Sequence, residues 1–254
     1  KAAEEPVPEE VLQVFRTEAK ENFRNLVQYD SGKEMQDKDI PDPKEIYSPI
    51  YVFDSPGPFK VFGLHIQGWS GVGDSIGNSY LFVLYDSLKK KVCQKPINID
   101  TRWGDIGTDR TDLPPTVVKP LIDFTDCFGT GSKALVVEDI EHNGTWTAVM
   151  YHYYEISPDS NLVDVLDLET RNTGTGRWWE KGYTEMNQTI VSNKGNEVTV
   201  QVTMEGVGMP VIEVGTMVLG RKGPGESFKI LKKNITNNDP NIVNCFYLGS
   251  AEPY

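Results

Sequence analysis

The chain has 254 residues, with 25 basic side chains against 37 acidic ones and a formal net charge of −12. That length can bury a full core, and the acidic balance excludes a nucleic-acid partner, which needs clustered Lys and Arg to neutralise phosphates. No apolar run approaches the ~18 residues that span a bilayer as a helix. Three widely spaced cysteines, Cys93, Cys127 and Cys245, lack CxxC spacing; they argue against a structural zinc site and allow at most one disulfide, whose pairing stays open.

The opening "KAAEEPVPEE" reads as a processed or trimmed N-terminus. A helix follows: "PEEVLQVFRTEAKENFRNLVQ" puts Leu12, Phe15, Ala19, Phe23 and Leu26 on one face. Pro8 suits its first turn, and Glu9 and Glu10 complement the positive end of its dipole. Its apolar stripe is expected to lie on a sheet. Residues 30–49 form a charged, proline-punctuated connector, which sets the expected organisation as a helical segment and linker over 1–49 and an all-β domain over 50–254.

From residue 50 onward the pattern changes to short runs rich in β-branched and aromatic residues. In order they are "IYVF", "FKVFGLHIQ", "SYLFVLYD", "KVCQKPINI", "ALVVEDI", "TWTAVMYHYYEI", "NLVDVLDLE", "EVTVQVTM", "VIEVGTMVL", "SFKILKK" and "NCFYL". Gly, Asn and Pro turn signals separate them, with no helical pattern between, which predicts an all-β fold: a sandwich or a propeller-like antiparallel meander. The basic run Lys89-Lys90-Lys91 is expected to be a solvated hairpin turn.

"EHNGTWTAVMYHYYEI" is the densest group of chemically capable side chains. Asn143-Gly144 is a strong type I′ hairpin signal. With those two as the loop, His142 pairs with Thr145, Val137 with Met150 and Leu135 with His152. One face then carries Leu135, Val137, Trp146, Ala148, Met150, His152 and Tyr154. His142 and His152 fall on opposite faces about 24 Å apart along the strand, so they share no metal or proton relay. His152 reads as a hydrogen-bonded core histidine.

Three stretches resemble known families. Gly73-Asp74-Ser75-Ile76 and the D-x-x-H element Asp139–His142 resemble the esterase blocks of the GDS (SGNH) family. That family's α/β context is missing here, so Ser75 is expected to be dispensable. "DFTDCFGTGSKALVV" resembles the calcium loop and following strand of FG-GAP-like repeats, with Thr125 and Cys127 where ligands are usual; Asp123 and Asp126 alone make a poor calcium site. More broadly, this loop, "HNGT" and "YLFVLYD" resemble in texture the β-rich envelope lipoproteins of Gram-negative bacteria. The texture implies an extracellular, cell-surface or periplasmic location, compatible with a lipid anchor, and implies no activity.

"RNTGTGRWWEKGY" is the strongest binding candidate in the sequence. Adjacent Trp178 and Trp179 cannot both point inward from a regular strand, so one is expected to be exposed among Arg177, Glu180 and Tyr183. Trp69 and Trp103 also sit among glycines. Such aromatics beside charged groups suit gripping a protein partner or stacking on sugars. Nothing pairs two carboxylates as a glycosidase requires. The sequence therefore reads as a non-catalytic binding or accessory protein acting through protein–protein contacts or homo-oligomerisation, without cofactor or metal. The alternative is a carbohydrate-binding module or glycan-active enzyme using the Trp-rich loops.

Overall fold

The computed structural model describes residues 6–18, 50–55, 57–69, 76–102, 122–143, 146–173, 185–206 and 208–237; within the strands, the side chains of 65–69, 76–79, 100–102, 140–143 and 146–147 are outside that description. One helix, α1 (residues 9–18), precedes thirteen strands among these residues. The strands are β1 (Tyr51–Asp54), β2 (Phe59–Trp69), β3 (Ile76–Asp86), β4 (Lys91–Val92), β5 (Ile97–Arg102), β6 (Ile122–Thr125), β7 (Ala134–Asn143), β8 (Trp146–Ile156), β9 (Leu162–Thr173), β10 (Glu185–Asn193), β11 (Glu197–Gly206), β12 (Met209–Gly220) and β13 (Lys229–Ile235). The fold is all-β and antiparallel with one N-terminal helix, as the run pattern predicts. The chain divides into two compact units, one holding α1 and β1–β5, the other almost all of β6–β13.

In the first unit β2 and β3 pair over their full lengths, with β1 beside β2 and both β4 and β5 beside β3. β4 and β5 are the single predicted run "KVCQKPINI" cut in two. Pro96 has no N–H to give a ladder, and the residues between Val92 and Ile97 leave the sheet. Alternation puts Phe62, Leu64, Leu81 and Val83 on one face, where they meet Val11 and Phe15 of α1 in one buried cluster. The helix thus lies on a sheet, as its stripe predicts; Ala19, Phe23 and Leu26 fall outside the described residues. On the other face Val61, Phe82 and Leu84 are fully buried. Gly63 lies opposite Phe82, and a Cβ there would come within 2.7 Å of the Phe82 ring. After β3 the predicted basic turn is exposed, capped by the buried Asp86, whose Oδ1 accepts the amides of Leu88 and Lys89.

In the second unit eight strands form one sheet in the order β13-β12-β11-β10-β9-β8-β7-β6, a meander in which chain neighbours are sheet neighbours. β11 shows why it holds: Val198, Val200, Val202 and Met204 alternate, and all four are fully buried. They join Met186, Met217, Leu219, Phe128 and Phe228 in the larger core. Two strands are absent from the predicted runs. β6 is the stretch "IDFT" inside the calcium-loop resemblance, and β10, "EMNQTIVSN", is too polar to stand out; its register shift between Ile190 and Ser192 leaves Val191 52 % exposed. The predicted run "NCFYL" lies outside the described residues.

The predicted hairpin of β7 and β8 forms, in a different register. Asn143 pairs with Trp146 and His142 with Thr147, so Val137 faces His152 and Leu135 faces Tyr154. Gly144 and Thr145, which connect the strands, are outside the described residues. The slip is two residues, an even number, so every side chain keeps its predicted face. The apolar pattern determines that parity, whereas the turn alone chooses between registers two apart.

Candidate functional site

Most of the aromatic candidates cannot be placed. Trp103, Arg177, Trp178, Trp179, Glu180 and Tyr183 lie outside the described residues, as does Ser75. Trp69 closes β2 opposite Ile76, and its side chain is outside the description. In the loop resembling a calcium site, Asp126 serves the backbone. Its Oδ1 accepts the amide of Thr130 at 3.0 Å and its Oδ2 that of Gly131 at 2.8 Å. These amide bonds, Gly131 foremost, hold its carboxyl below the usual range. Gly129 and Gly131 both take positive φ, which completes the tight turn. Cys93 and Cys127 are free thiols; burial raises the first and pushes the second up to about 11.

The described residues bring chemistry together elsewhere, around His152 on β8. Its Nδ1 lies 2.6 Å from Asp167 Oδ1, and its Nε2 lies 3.6 Å from Asp139 Oδ2. The first is a charge-assisted hydrogen bond. The second is too long for one, yet close enough to act electrostatically. Asp164 joins from β9: one ligand atom from each of His152, Asp164 and Asp167 lies within 4.8 Å of the others. The carboxyl oxygens that Asp164 and Asp167 offer lie within 4.8 Å of each other. Tyr154 stacks beside the imidazole with ring centroids 6.4 Å apart.

The electrostatics follow from counting charges. Three carboxylates surround one imidazole in a half-buried position, where the His152 side chain is 17 % exposed. Burial alone would lower the imidazole pKa, but Asp139 and Asp167 more than offset this and raise it to about 9. Partial desolvation by its neighbours, although Asp164 lies at the surface, together with the adjacent Asp167 charge raises the Asp164 carboxyl to about 7. Within this cluster two buried polar atoms are without a hydrogen-bond partner, His152 Nε2 and Asp139 Oδ1. His152 is hydrogen-bonded, as expected of a core histidine, but its partner is a carboxylate in an acid-rich cluster.

Sequence reasoning did not assemble this group for two reasons. In the predicted register Asp139 falls opposite Ala148; in the observed one it faces Met150, diagonal to His152. Alternation along β7 already put Asp139 on the face of His152, and that signal was available. Asp164 and Asp167 are three apart, which strict alternation places on opposite faces. Yet Val165 and Leu166 are both buried, so alternation breaks there and both carboxylates reach the same imidazole.

A second ionic group lies on the other face of β8. Glu155 and Arg221 are both fully buried and meet through two bonds of 2.9 and 3.0 Å. The Gly225 amide donates to Glu155 Oε2 at 2.6 Å. The Arg221 guanidinium lies over both the Phe128 and Phe228 rings, 4.8 and 4.4 Å from their centroids, which are themselves 5.0 Å apart. This pair is matched in charge and closed to solvent, which makes it a structural element. No family model, curated protein or solved structure matches the chain.

Proposed function

We propose that the chain is a non-catalytic extracellular or envelope protein that works by binding another protein, through an acidic extended segment of that partner laid along β13. The observation that supports this reading is the character of that strand. Among the described residues β13 ends the eight-stranded sheet. Its sequence, Lys229-Ile-Leu-Lys-Lys-Asn-Ile235, concentrates positive charge in a chain of net charge −12. Leu231, the unpaired residue at a register shift, is 64 % exposed, and Ile230 beside it is 36 % exposed. Lysines commonly guard a sheet edge against unwanted pairing. With apolar side chains between them, the same lysines select an acidic strand, in which backbone bonds supply affinity and charge supplies specificity. A groove of ≈ 600 Å³ beside Lys194, Lys229 and Leu231 offers a seat for one partner side chain.

The test is cross-linking of the full chain with proteins of its own compartment, followed by mapping of the linked residues. A partner joined at Lys229 or Lys232, released by salt and lost in Lys229→Glu/Lys232→Glu, supports the reading. In parallel, a polysaccharide panel is followed by tryptophan emission. A saturable shift with one polysaccharide, abolished by Trp178→Ala and Trp179→Ala, selects the carbohydrate-binding alternative and overturns the proposal.

A further inference from the structure

We infer that His152, Asp164 and Asp167 form a binding site for a divalent transition-metal cation such as zinc or manganese, with Asp139 as the carboxylate that orients the imidazole. The donor set is one imidazole nitrogen and two carboxylate oxygens, already within 4.8 Å of one another. Ligands bound to zinc at 2.0–2.2 Å stand roughly 3.4 Å apart, so His152 Nδ1 and Asp167 Oδ1, now 2.6 Å apart, open slightly to admit the ion while the widest separation in the set closes. Imidazole with carboxylate favours zinc and its neighbours over magnesium or calcium, which prefer all-oxygen shells.

Two further observations point to a cation. The first is the orphaned pair of polar atoms. Asp139 is 8 % exposed, and its Oδ1 has no hydrogen-bond partner; its Oδ2 faces His152 Nε2, itself unpartnered. With Nδ1 on a metal, Nε2 carries the remaining proton and donates it towards Asp139. That is the carboxylate–histidine–metal arrangement that fixes ring orientation and tautomer. The second is the closeness of the Asp164 and Asp167 carboxylates, whose oxygens lie within 4.8 Å and whose mutual repulsion a cation offsets. Asp164 is exposed, so an ion reaches the site from solvent. Metal entry displaces protons from the imidazole and from the carboxyl pair, and it neutralises part of the cluster's excess negative charge.

The experiment uses the full chain after chelator treatment, titrated with Zn²⁺ and with Mn²⁺ by calorimetry in two buffers of different ionisation enthalpy. Saturable binding with proton release is expected, weaker for Mg²⁺ and Ca²⁺ at equal concentration. His152→Gln and Asp164→Asn should each weaken the zinc affinity at least about tenfold, and Asp139→Asn by about tenfold through the lost orientation of the ring. Asp159→Asn, on an exposed turn, should leave it unchanged. Far-UV circular dichroism verifies each fold; if His152→Gln does not fold, Asp164→Asn decides, because its side chain is at the surface. No saturable binding up to millimolar metal overturns the inference. So does an affinity equal in the wild type and in whichever of these two variants folds.

Discussion

Strand β8 carries Glu155 on one face and His152 on the other, three residues apart, and their surroundings differ in kind. Glu155 meets one opposite charge in a bidentate pair, takes a further amide from Gly225, and is sealed from water. His152 meets three carboxylates, leaves Nε2 and Asp139 Oδ1 without hydrogen bonds, and stays partly open. Charge balance separates the two, since the first group also leaves one atom, Arg221 Nε, without a hydrogen bond. A charge-balanced pair holds in the core only while both partners are present. A cluster with surplus negative charge and orphaned atoms is held at a cost that a proton or a cation relieves.

The sharpest way to break the comparison is Glu155→Ala. It leaves a buried guanidinium without its counter-charge and should destabilise the fold by about 3–5 kcal/mol, read as a shifted denaturant midpoint. Replacing Glu155 and Arg221 together by apolar residues of similar volume should recover much of that loss. If the single and double variants are equally unstable, the packing of Arg221 against the Phe128 and Phe228 rings matters more than the charge pair.

The next effect is one of pH, measured on metal-free protein. The His152 pKa rises from 6.5 to about 9 on folding. Its contribution is therefore fully present below pH 6.5 and is lost as pH climbs through 9. At about 1.4 kcal/mol per unit the loss reaches at most about 3 kcal/mol. Asp164, raised to about 7, adds a loss of the same sign between pH 3.8 and 7. The groups facing the imidazole are Asp139, Asp164, Asp167 and the Tyr154 ring. Thermal melts from pH 5 to 9 should fall steadily, and His152→Gln should flatten the upper half of the curve. An unchanged slope in that variant would place the titration elsewhere.

Gly225→Ala should cost about 1–3 kcal/mol, because Gly225 has a φ of 77° and an added Cβ would come within 2.9 Å of Ser157 Cα. That loop delivers the amide to Glu155, so the loss should shrink in a background already lacking Glu155. The smallest effect is expected at the open cluster. Asp164→Asn in metal-free protein should leave stability at pH 8 unchanged or raise it by up to about 1 kcal/mol, since it removes one like charge beside Asp167. A loss comparable to that of Glu155→Ala would make the two clusters alike and end the distinction.

The sequence by itself determined the antiparallel all-β class, the face of α1 that packs, and the side of the sheet on which most strand residues lie. These follow from side-chain periodicity, which is local: Val198, Val200, Val202 and Met204 alternate into the core whatever their partners are. The weakly apolar β6 and β10 escaped for the same reason, because a polar strand gives no periodic signal. Register, the break in alternation at Val165–Leu166 and the pairing of groups distant in the chain were decided only by the tertiary structure. A slip of two residues in the β7–β8 hairpin preserves every face and so leaves no trace in the pattern, yet it moves Asp139 to the diagonal of His152. Glu155 and Arg221 are 66 residues apart, and a charge in a sequence does not disclose its counter-charge. The tertiary fold brings them together, and each becomes tolerable in the core only when it meets the other.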